Sequence, residues 1–169
     1  MGLSHHIEAL KQKDQLAFEA IYHDTKHAVF AMILPIVKDR SLAEDVMQET
    51  YIKMVENINR YNKKYKFINW LLTIAKNQAI DYYRKRKSEL SDSSEHLDLY
   101  SDSSTPIETK LEAKYYLSLL TDEERQIVLL KTVGNMKHRD IALMLEKPIG
   151  TITWKYNEAI KKMKEGASS

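Results

Sequence analysis

The sequence predicts an all-α protein made of two small helical domains. Apolar residues form 43% of the 169 residues, and most of them recur at helical spacing. Only four glycines and three prolines are available for turns. A serine-rich segment at 88–106 separates the helical parts, because it carries five carboxylates and no Lys or Arg. A segment this polar buries too little apolar surface to fold alone, and its length spans at most about 65 Å.

Composition excludes several functional classes. The chain has no cysteine, so disulfide and thiolate chemistry are absent. No stretch approaches the ~20 apolar residues of a membrane span, and no signal peptide is present; we expect a cytoplasmic protein without membrane insertion. No nucleotide-binding loop or nucleophile constellation is found, so we expect no enzymatic activity and no cofactor. His23 and His27 stand four residues apart but lack a third ligand, so we predict no metal site.

The net charge of +2 conceals four blocks of opposite sign. Residues 1–59 carry −3, residues 60–87 carry +8, residues 88–130 carry −7 and residues 131–169 carry +4. This segregation indicates a polyanionic partner, which the total charge does not suggest. Each block taken alone is equally compatible with a solvated helix face.

Three helices are predicted before the acidic segment, with a basic, tyrosine-bearing loop between the second and the third. The helices span residues 14–37, 42–58 and 67–87, and the loop spans 59–66. Pro35 is expected to kink or interrupt the end of the first helix. Ser41 is expected to cap the second helix, with Glu44 completing a capping box. The apolar spacing of the third helix assigns Trp70 to the core.

The end of the third helix carries the pattern most typical of nucleic-acid binding. Two aromatic residues, Tyr82 and Tyr83, precede four cations at 84–87. Cations hold phosphates without reading sequence, and flat rings stack on bases that have left a duplex.

Four further helices are predicted after the acidic segment, at about 107–118, 122–133, 137–145 and 150–164. Thr121 and Glu124 form a capping box for the second of these, and Gly134 is expected to end it.

The last two helices have helix-turn-helix spacing. Their inward positions are Ile141, Ala142, Leu145, Ile152, Tyr156, Ala159 and Met163. The outward face of the last helix is basic and polar, which suits a recognition helix in a major groove; a plain helical hairpin with a basic face is the alternative. Trp154 on this face either contacts a base or folds back onto the core, and the core interpretation is favoured.

Together these segments resemble the extracytoplasmic-function group of bacterial sigma-70 factors. LAEDVMQETYIKMVENI (42–58) is similar to the helix with which family members grip the clamp helices of RNA polymerase. FINWLLTIAKNQAIDYYRKRK (67–87) is similar to the region that reads and melts the −10 element. The segment from 120 to 164 resembles the domain that reads the −35 element. The resemblance covers nearly the whole chain and implies a first domain at 1–87, a linker at 88–106 and a second domain at 107–169.

The resemblance also implies roles for particular residues. Those facing core polymerase are Asp45, Gln48 and Glu49. Those contacting −10 DNA are Asn62, Tyr65, Lys76, Asn77, Tyr82, Tyr83, Arg84 and Lys85. Those contacting −35 DNA are Lys137, Arg139, Lys147, Thr151, Thr153, Trp154, Lys155, Asn157 and Lys161. Tyr61 and Tyr65 either stack on a flipped base or pack against the third helix. Family recognition helices often read GTVKSR where this chain has GTITWK, which leaves its −35 base preference open.

The implied function is promoter-specific transcription initiation with core RNA polymerase, through its β′ clamp helices and β flap. Promoter DNA and an anti-sigma factor are the further partners implied, and no additional domain is expected after the last helix. The alternative is a stand-alone helix-turn-helix regulator whose N-terminal half dimerises or senses a signal. That alternative explains residues 120–164 but not the aromatic and basic end of the third helix.

Overall fold

The computed structural model describes residues 3–89 and 107–168, in which every regular element is helical. The α-helices are α1 (Leu3–Lys11), α2 (Gln15–Val37), α3 (Arg40–Asn57), α4 (Phe67–Glu89), α5 (Ile107–Ser118), α6 (Asp122–Thr132), α7 (His138–Leu145) and α8 (Ile149–Ala167), with a 3₁₀ turn at Ile58–Arg60. The all-α prediction is confirmed. The proposed linker at 88–106 lies outside the described residues, except for its first two residues, which continue α4.

Helix α1 was not predicted. It packs along α2 and buries Ile7 and Leu10 against it. Lys13 then adopts a left-handed conformation with φ 62°. Asp14 follows as the N-cap of α2, its side chain accepting a hydrogen bond from the Ala17 amide at 2.9 Å. The short apolar spacing of α1 lacks an N-terminal capping signal, which is why sequence reasoning missed it.

The structure differs from the sequence prediction at two helix ends. Pro35 does not interrupt α2, which continues to Val37, the predicted last residue, and stops where Lys38 turns left-handed at φ 56°. The loss of one backbone hydrogen bond at a proline is tolerated because the surrounding turn is buried in the core. Ser41 does not cap α3 either; Asp39 does, accepting from the Leu42 amide at 2.9 Å.

The first half of the chain is a bundle of α2, α3 and α4, which contact one another in every pairing. Its largest fully buried side chains include Met32, Met54 and Leu71. Thr25 and Tyr51 share a buried hydrogen bond of 2.8 Å between α2 and α3, and burial raises the pKa of the Tyr51 hydroxyl. The apolar residue Leu16 lies outside this core, with 74% of its surface exposed.

The second half is built on α6, α7 and α8. The capping box of Thr121 and Glu124 is confirmed, with both reciprocal hydrogen bonds present. Burial alone would raise the pKa of the Glu124 carboxyl, but hydrogen bonds from Lys162 and the Thr121 backbone outweigh it, so the pKa is lowered. The buried Arg125 donates to the backbone carbonyls of Leu117 and Leu120 at 3.0 and 3.1 Å, which ties the end of α5 to α6.

Gly134 acts differently from the expected helix stop. Helix α6 ends at Thr132, and the left-handed residue of the following turn is Asn135, with φ 51°. A Cβ built on Gly134 would lie 2.7 Å from the Leu130 carbonyl oxygen and 3.4 Å from the Cα of Ala28. The backbone carbonyl of Leu130, one turn earlier in α6, therefore favours a glycine here, whereas Ala28 of α2 lies at an ordinary van der Waals distance.

The two halves pack against each other over one continuous hydrophobic core. Helix α2 contacts α6, and α4 contacts α7. Sequence reasoning left this arrangement open. The domain boundaries derived from the resemblance stay a prediction. No helix in the described part of the chain is long and apolar enough to cross a membrane.

Candidate nucleic-acid interface

The predicted polymerase-facing residues lie on the solvent side of α3. Asp45, Gln48 and Glu49 are all exposed. They are carried there because Val46 and Thr50, on the opposite side of the same turns, are buried against the bundle. The structure thus brings the three residues onto one accessible, acidic face.

An apolar groove adjoins this face and was not predicted from the sequence. Its lining residues are Phe18, Tyr22, Gln48, Tyr51, Ile52, Val55 and Glu56. Ile52 is 52% exposed and Val55 is 37% exposed. The spacing of these two apolar residues at i and i+3 was the available signal for such a surface.

The two tyrosines of the loop before α4, each expected either to stack on a base or to pack against the helix, have different surroundings. The Tyr61 ring lies 5.3 Å from the Phe67 ring and 5.4 Å from the Trp70 ring, centroid to centroid. Its hydroxyl donates to the Tyr65 carbonyl, and desolvation raises its pKa. Tyr61 therefore packs against α4. The Tyr65 ring is 69% exposed and is available for stacking.

Asn62 occupies the same loop and is exposed. Its side-chain oxygen accepts a hydrogen bond from the Lys64 amide at 3.0 Å, which fixes the turn. The side-chain NH₂ group is the donor of this amide, and Asn62 stands three residues before the exposed Tyr65. Trp70, which was predicted to lie in the core, is partly buried and packs against the hydrophobic core.

The last three turns of α4 present the aromatic and basic side chains to solvent. Tyr82 and Tyr83 are 41% and 38% exposed, while Asn77, Arg84 and Lys85 are exposed as well. Lys76 is different, because it is half-buried and its Nζ lies 3.5 Å from the Met144 carbonyl oxygen of α7. Most of the predicted −10 residues thus share one accessible helix end.

Helices α7 and α8 form the predicted helix-turn-helix. Ile152 and Ala159 bury the inner face of α8, and Ile141 buries that of α7. Exposed on the outer side are Lys137, Arg139, Lys147, Trp154, Asn157 and Lys161. The core interpretation of Trp154 was wrong, since 61% of its surface is exposed. At the N-terminal part of α8, its ring stands where a recognition helix presents side chains to bases.

Two of the predicted −35 lysines are paired with a carboxylate of their own domain. Lys147 Nζ lies 2.6 Å from one oxygen of Glu123, and Lys155 donates to the other. These hydrogen bonds, that of Lys147 first, lower the pKa of the Glu123 carboxyl. The two lysines are therefore positioned, and partly neutralised, in the absence of DNA.

Of the predicted −35 residues, Thr151 and Thr153 are only half-exposed. Thr153 Oγ1 lies 3.2 Å from Nδ1 of His138, whose ring packs against Tyr156 at 5.0 Å. Burial, assisted by the nearby charge of Lys131, lowers the pKa of His138. This contact between α7 and α8 was missed from the sequence, because no local pattern connects residues of different helices.

Comparison with known proteins gives a consistent result. Residues 21–89 match the family model described as Sigma-70 region 2. The ECF RNA polymerase sigma factor SigW of Bacillus subtilis is 27% identical, over 96% of this chain and 96% of that protein. The ECF sigma factor SigK of Mycobacterium tuberculosis is 25% identical, over 96% and 94%.

Two solved structures share the fold across both halves of the chain. One is the sigma factor RpoE with the anti-sigma factor NepR from Bartonella quintana, at TM-score 0.70 and 21% identity, covering 88% of this chain and 94% of that one. The other is CnrH with the cytosolic domain of CnrY, at TM-score 0.70 and 15% identity, covering 96% and 95%.

Proposed function

We propose a mechanism from one premise: this chain is an RNA polymerase sigma factor of the extracytoplasmic-function group of the sigma-70 family. Its function is to bind core polymerase and direct it to promoters through the −10 and −35 elements. One observation supports these roles. The same chain has an exposed aromatic and basic end of α4, within the residues that match Sigma-70 region 2, and a separate helix-turn-helix.

The acidic face of α3 is the proposed contact with the β′ clamp helices of core polymerase. Asp45, Gln48 and Glu49 are exposed together, and within residues 3–89 and 107–168 the carboxylates of Asp45 and Glu49 form no ion pair that would compete with a basic partner. Negative charge on this face complements a cationic surface and speeds encounter with it. The second domain is proposed to contact the β flap.

The loop before α4 and the end of α4 are proposed to hold the opened −10 element. Opening each base-pair step costs about 1.4 kcal/mol on average. Stacking of one base on an aromatic ring contributes about 1–3 kcal/mol. Tyr65, with its free ring, and the amide of Asn62 would receive a flipped base, while Arg84 and Lys85 hold the phosphates beside it. Binding accomplishes all of this, and we propose no catalytic step for the chain.

The outer face of α8 is proposed to read the −35 element. Trp154 and Asn157 are exposed near the N-terminal half of that helix, and Asn can bond base edges in the major groove. Lys137 and Arg139 lie at the start of α7, where the first helix of such a motif crosses the DNA backbone. When polymerase holds both domains, binding of one DNA element raises the effective concentration of the other element at its own domain. The −10 and −35 contacts then act as one bipartite interaction.

An anti-sigma factor is the proposed regulatory partner. RpoE, a sigma factor with the same fold, was solved in complex with the anti-sigma factor NepR. The apolar groove beside the α3 face supports this proposal, because exposed apolar surfaces rimmed by polar residues mark protein-binding sites.

Run-off transcription with purified core polymerase and a library of genomic promoter fragments tests the proposal. Asp45→Lys combined with Glu49→Lys should abolish promoter-specific transcripts while the helical circular dichroism stays unchanged. The matched control reverses two exposed carboxylates elsewhere, Asp24 of α2 and Glu112 of α5, and should retain transcription. Full transcription by the α3 variant would contradict the polymerase contact. Specific promoter binding without core polymerase would favour the stand-alone regulator.

A further inference from the structure

Two lysines of the proposed −35 surface meet at one carboxylate of α6. Lys147 lies in the turn between α7 and α8, and Lys155 lies in the second turn of α8. Glu123, in the first turn of α6, contacts both of them. Lys147 Nζ lies 2.6 Å from Glu123 Oε1, and Lys155 Nζ donates to Oε2. The carboxylate therefore joins the turn of the helix-turn-helix to its recognition helix.

The surroundings of the Glu123 carboxylate favour this pairing. Its Oε1 atom is shielded from solvent, and a buried anionic oxygen needs a cation beside it. The N-terminus of α6 adds positive partial charge at the same point. Hydrogen bonds from Lys147 and then Lys155 lower the pKa of the carboxyl, so Glu123 is ionised at neutral pH.

The next residue of α6 makes a related contact with a different consequence. Both oxygens of Glu124 accept hydrogen bonds from Lys162 Nζ, at 2.7 and 2.9 Å. Lys162 stands seven residues, or about two turns, after Lys155, so both lysines lie on the side of α8 that packs on α6. Glu124 also completes the capping box with Thr121. Glu124 therefore anchors the helix, whereas Glu123 holds the lysines proposed to contact DNA.

Pairing with Glu123 changes what the two lysines contribute to DNA binding. Each ammonium group has three donor hydrogens, so donors remain for DNA. The carboxylate and the two lysines together carry +1 instead of +2, which weakens their attraction to phosphates of any sequence. Because both ammonium groups are held in place before DNA arrives, a duplex whose groups match their positions is favoured over other duplexes.

We propose that Glu123 determines how well this domain discriminates the −35 element from other DNA, by holding Lys147 and Lys155 in fixed positions and reducing their attraction to phosphates. This inference rests on the proposed reading of the −35 element by α8. Glu123 is a positioning residue, because it acts through the two lysines.

The salt dependence of DNA binding by the full chain tests the charge effect. The chain is titrated with a duplex of scrambled sequence at several salt concentrations. Glu123→Gln keeps the size of the side chain but removes its charge, so the affinity for this duplex at low salt should rise by about three- to tenfold. The plot of log binding constant against log salt should steepen by about one to two phosphate contacts. A lower affinity without a steeper plot would show that Glu123 only anchors α8, and would overturn the proposal.

The matched control is Glu146→Gln at the end of α7. Glu146 is exposed and directly precedes Lys147, and within residues 3–89 and 107–168 its carboxylate forms no ion pair with a lysine. This variant removes the same charge without releasing a lysine, so its salt dependence should stay close to that of the natural sequence. Equal effects of Glu146→Gln and Glu123→Gln would indicate a general effect of net charge and would overturn the positioning role.

Discrimination is measured with the holoenzyme on promoter duplexes that carry an intact or a scrambled −35 element. Glu123→Gln should lower the ratio of the two affinities by about threefold or more, mainly because the scrambled duplex binds more tightly. An unchanged ratio would overturn the proposal. A natural holoenzyme that does not discriminate between the duplexes would instead count against the proposed function, and the reactivity of the lysines would still test their contact with Glu123.

Reductive methylation of lysines, followed by mass spectrometry, measures this contact without DNA. Lys147 should react more slowly than Lys137, which is also exposed but has no carboxylate partner in the described part of the chain. Glu123→Gln should raise the rates at Lys147 and Lys155 by about two- to fivefold, the range expected for a partly exposed ion pair. Lys162, which is held by Glu124, should keep its rate. Equal rates at Lys147 and Lys137 in the natural chain would overturn the proposal, even if Glu123→Gln failed to fold.

Discussion

Trp154 provides a sharp test of how this chain reads a promoter, because stability and binding should respond differently to its removal. Truncating a core tryptophan to alanine typically costs 3–5 kcal/mol of stability. With 61% of its surface exposed, Trp154 loses far less on truncation, and we expect Trp154→Ala to lower the free energy of unfolding by no more than about 1 kcal/mol. A ring contact with a base or methyl group contributes about 1–3 kcal/mol. The affinity for −35 DNA should therefore fall by about five- to 150-fold.

The assay pairs urea denaturation of the free protein with holoenzyme binding to promoter duplexes that carry an intact or a scrambled −35 element. Trp154→Tyr keeps an aromatic ring and should retain most of the affinity. Leu111→Ala on α5, where the side chain is 62% exposed, is the matched control for the loss of an exposed apolar group and should affect neither measurement. A stability loss above about 2 kcal/mol, or an unchanged preference for the intact −35 element, would refute the assignment of Trp154 to the DNA face.

Three further predictions concern the scaffold. Arg125→Met should lower the free energy of unfolding by about 2–4 kcal/mol, since two buried carbonyls lose their donors; a loss under 1 kcal/mol in urea denaturation would contradict this role. His138 has a lowered pKa, so the unfolded chain binds more protons and stability should fall as pH drops below about 6.5; His138→Phe should flatten this part of the stability profile, and an unchanged slope would count against it. Asp39→Ala should cost about 1 kcal/mol as loss of an N-cap, whereas Ser41→Ala should be neutral, and the reverse order in thermal melts would restore the original capping prediction.

Helix positions and their buried faces were largely predictable from spacing. The last helix was expected to bury Ile152 and Ala159, and both are buried. The capping box at Thr121 and Glu124 was found as predicted, because its hydrogen bonds join residues three apart in the chain. The all-helical fold followed from the same local patterns.

The predictions from sequence were wrong where two nearby residues could both cap a helix, and where packing in the core outweighed a local preference. Asp39 and Ser41 are both good capping residues, and only the start of α3 decides between them. Pro35 ends a helix in many settings, but burial of the surrounding turn keeps α2 intact here. Trp154 is large and apolar, which favoured the core; the complete inner face of α8, filled by smaller residues, leaves no place for it.

By itself, the sequence determined the helices, the segregation of charge, and the aromatic and basic end of α4, because each depends on residues close together in the chain. Only the tertiary structure decided that α2 lies on α6, that Trp154 faces solvent and that Lys66 meets Asp140. Those two residues are 74 positions apart, and helical periodicity states which face of a helix is apolar but not which distant helix covers it. The physical reason is that such contacts depend on the shapes and charges of whole folded surfaces, which form only once the helices have packed.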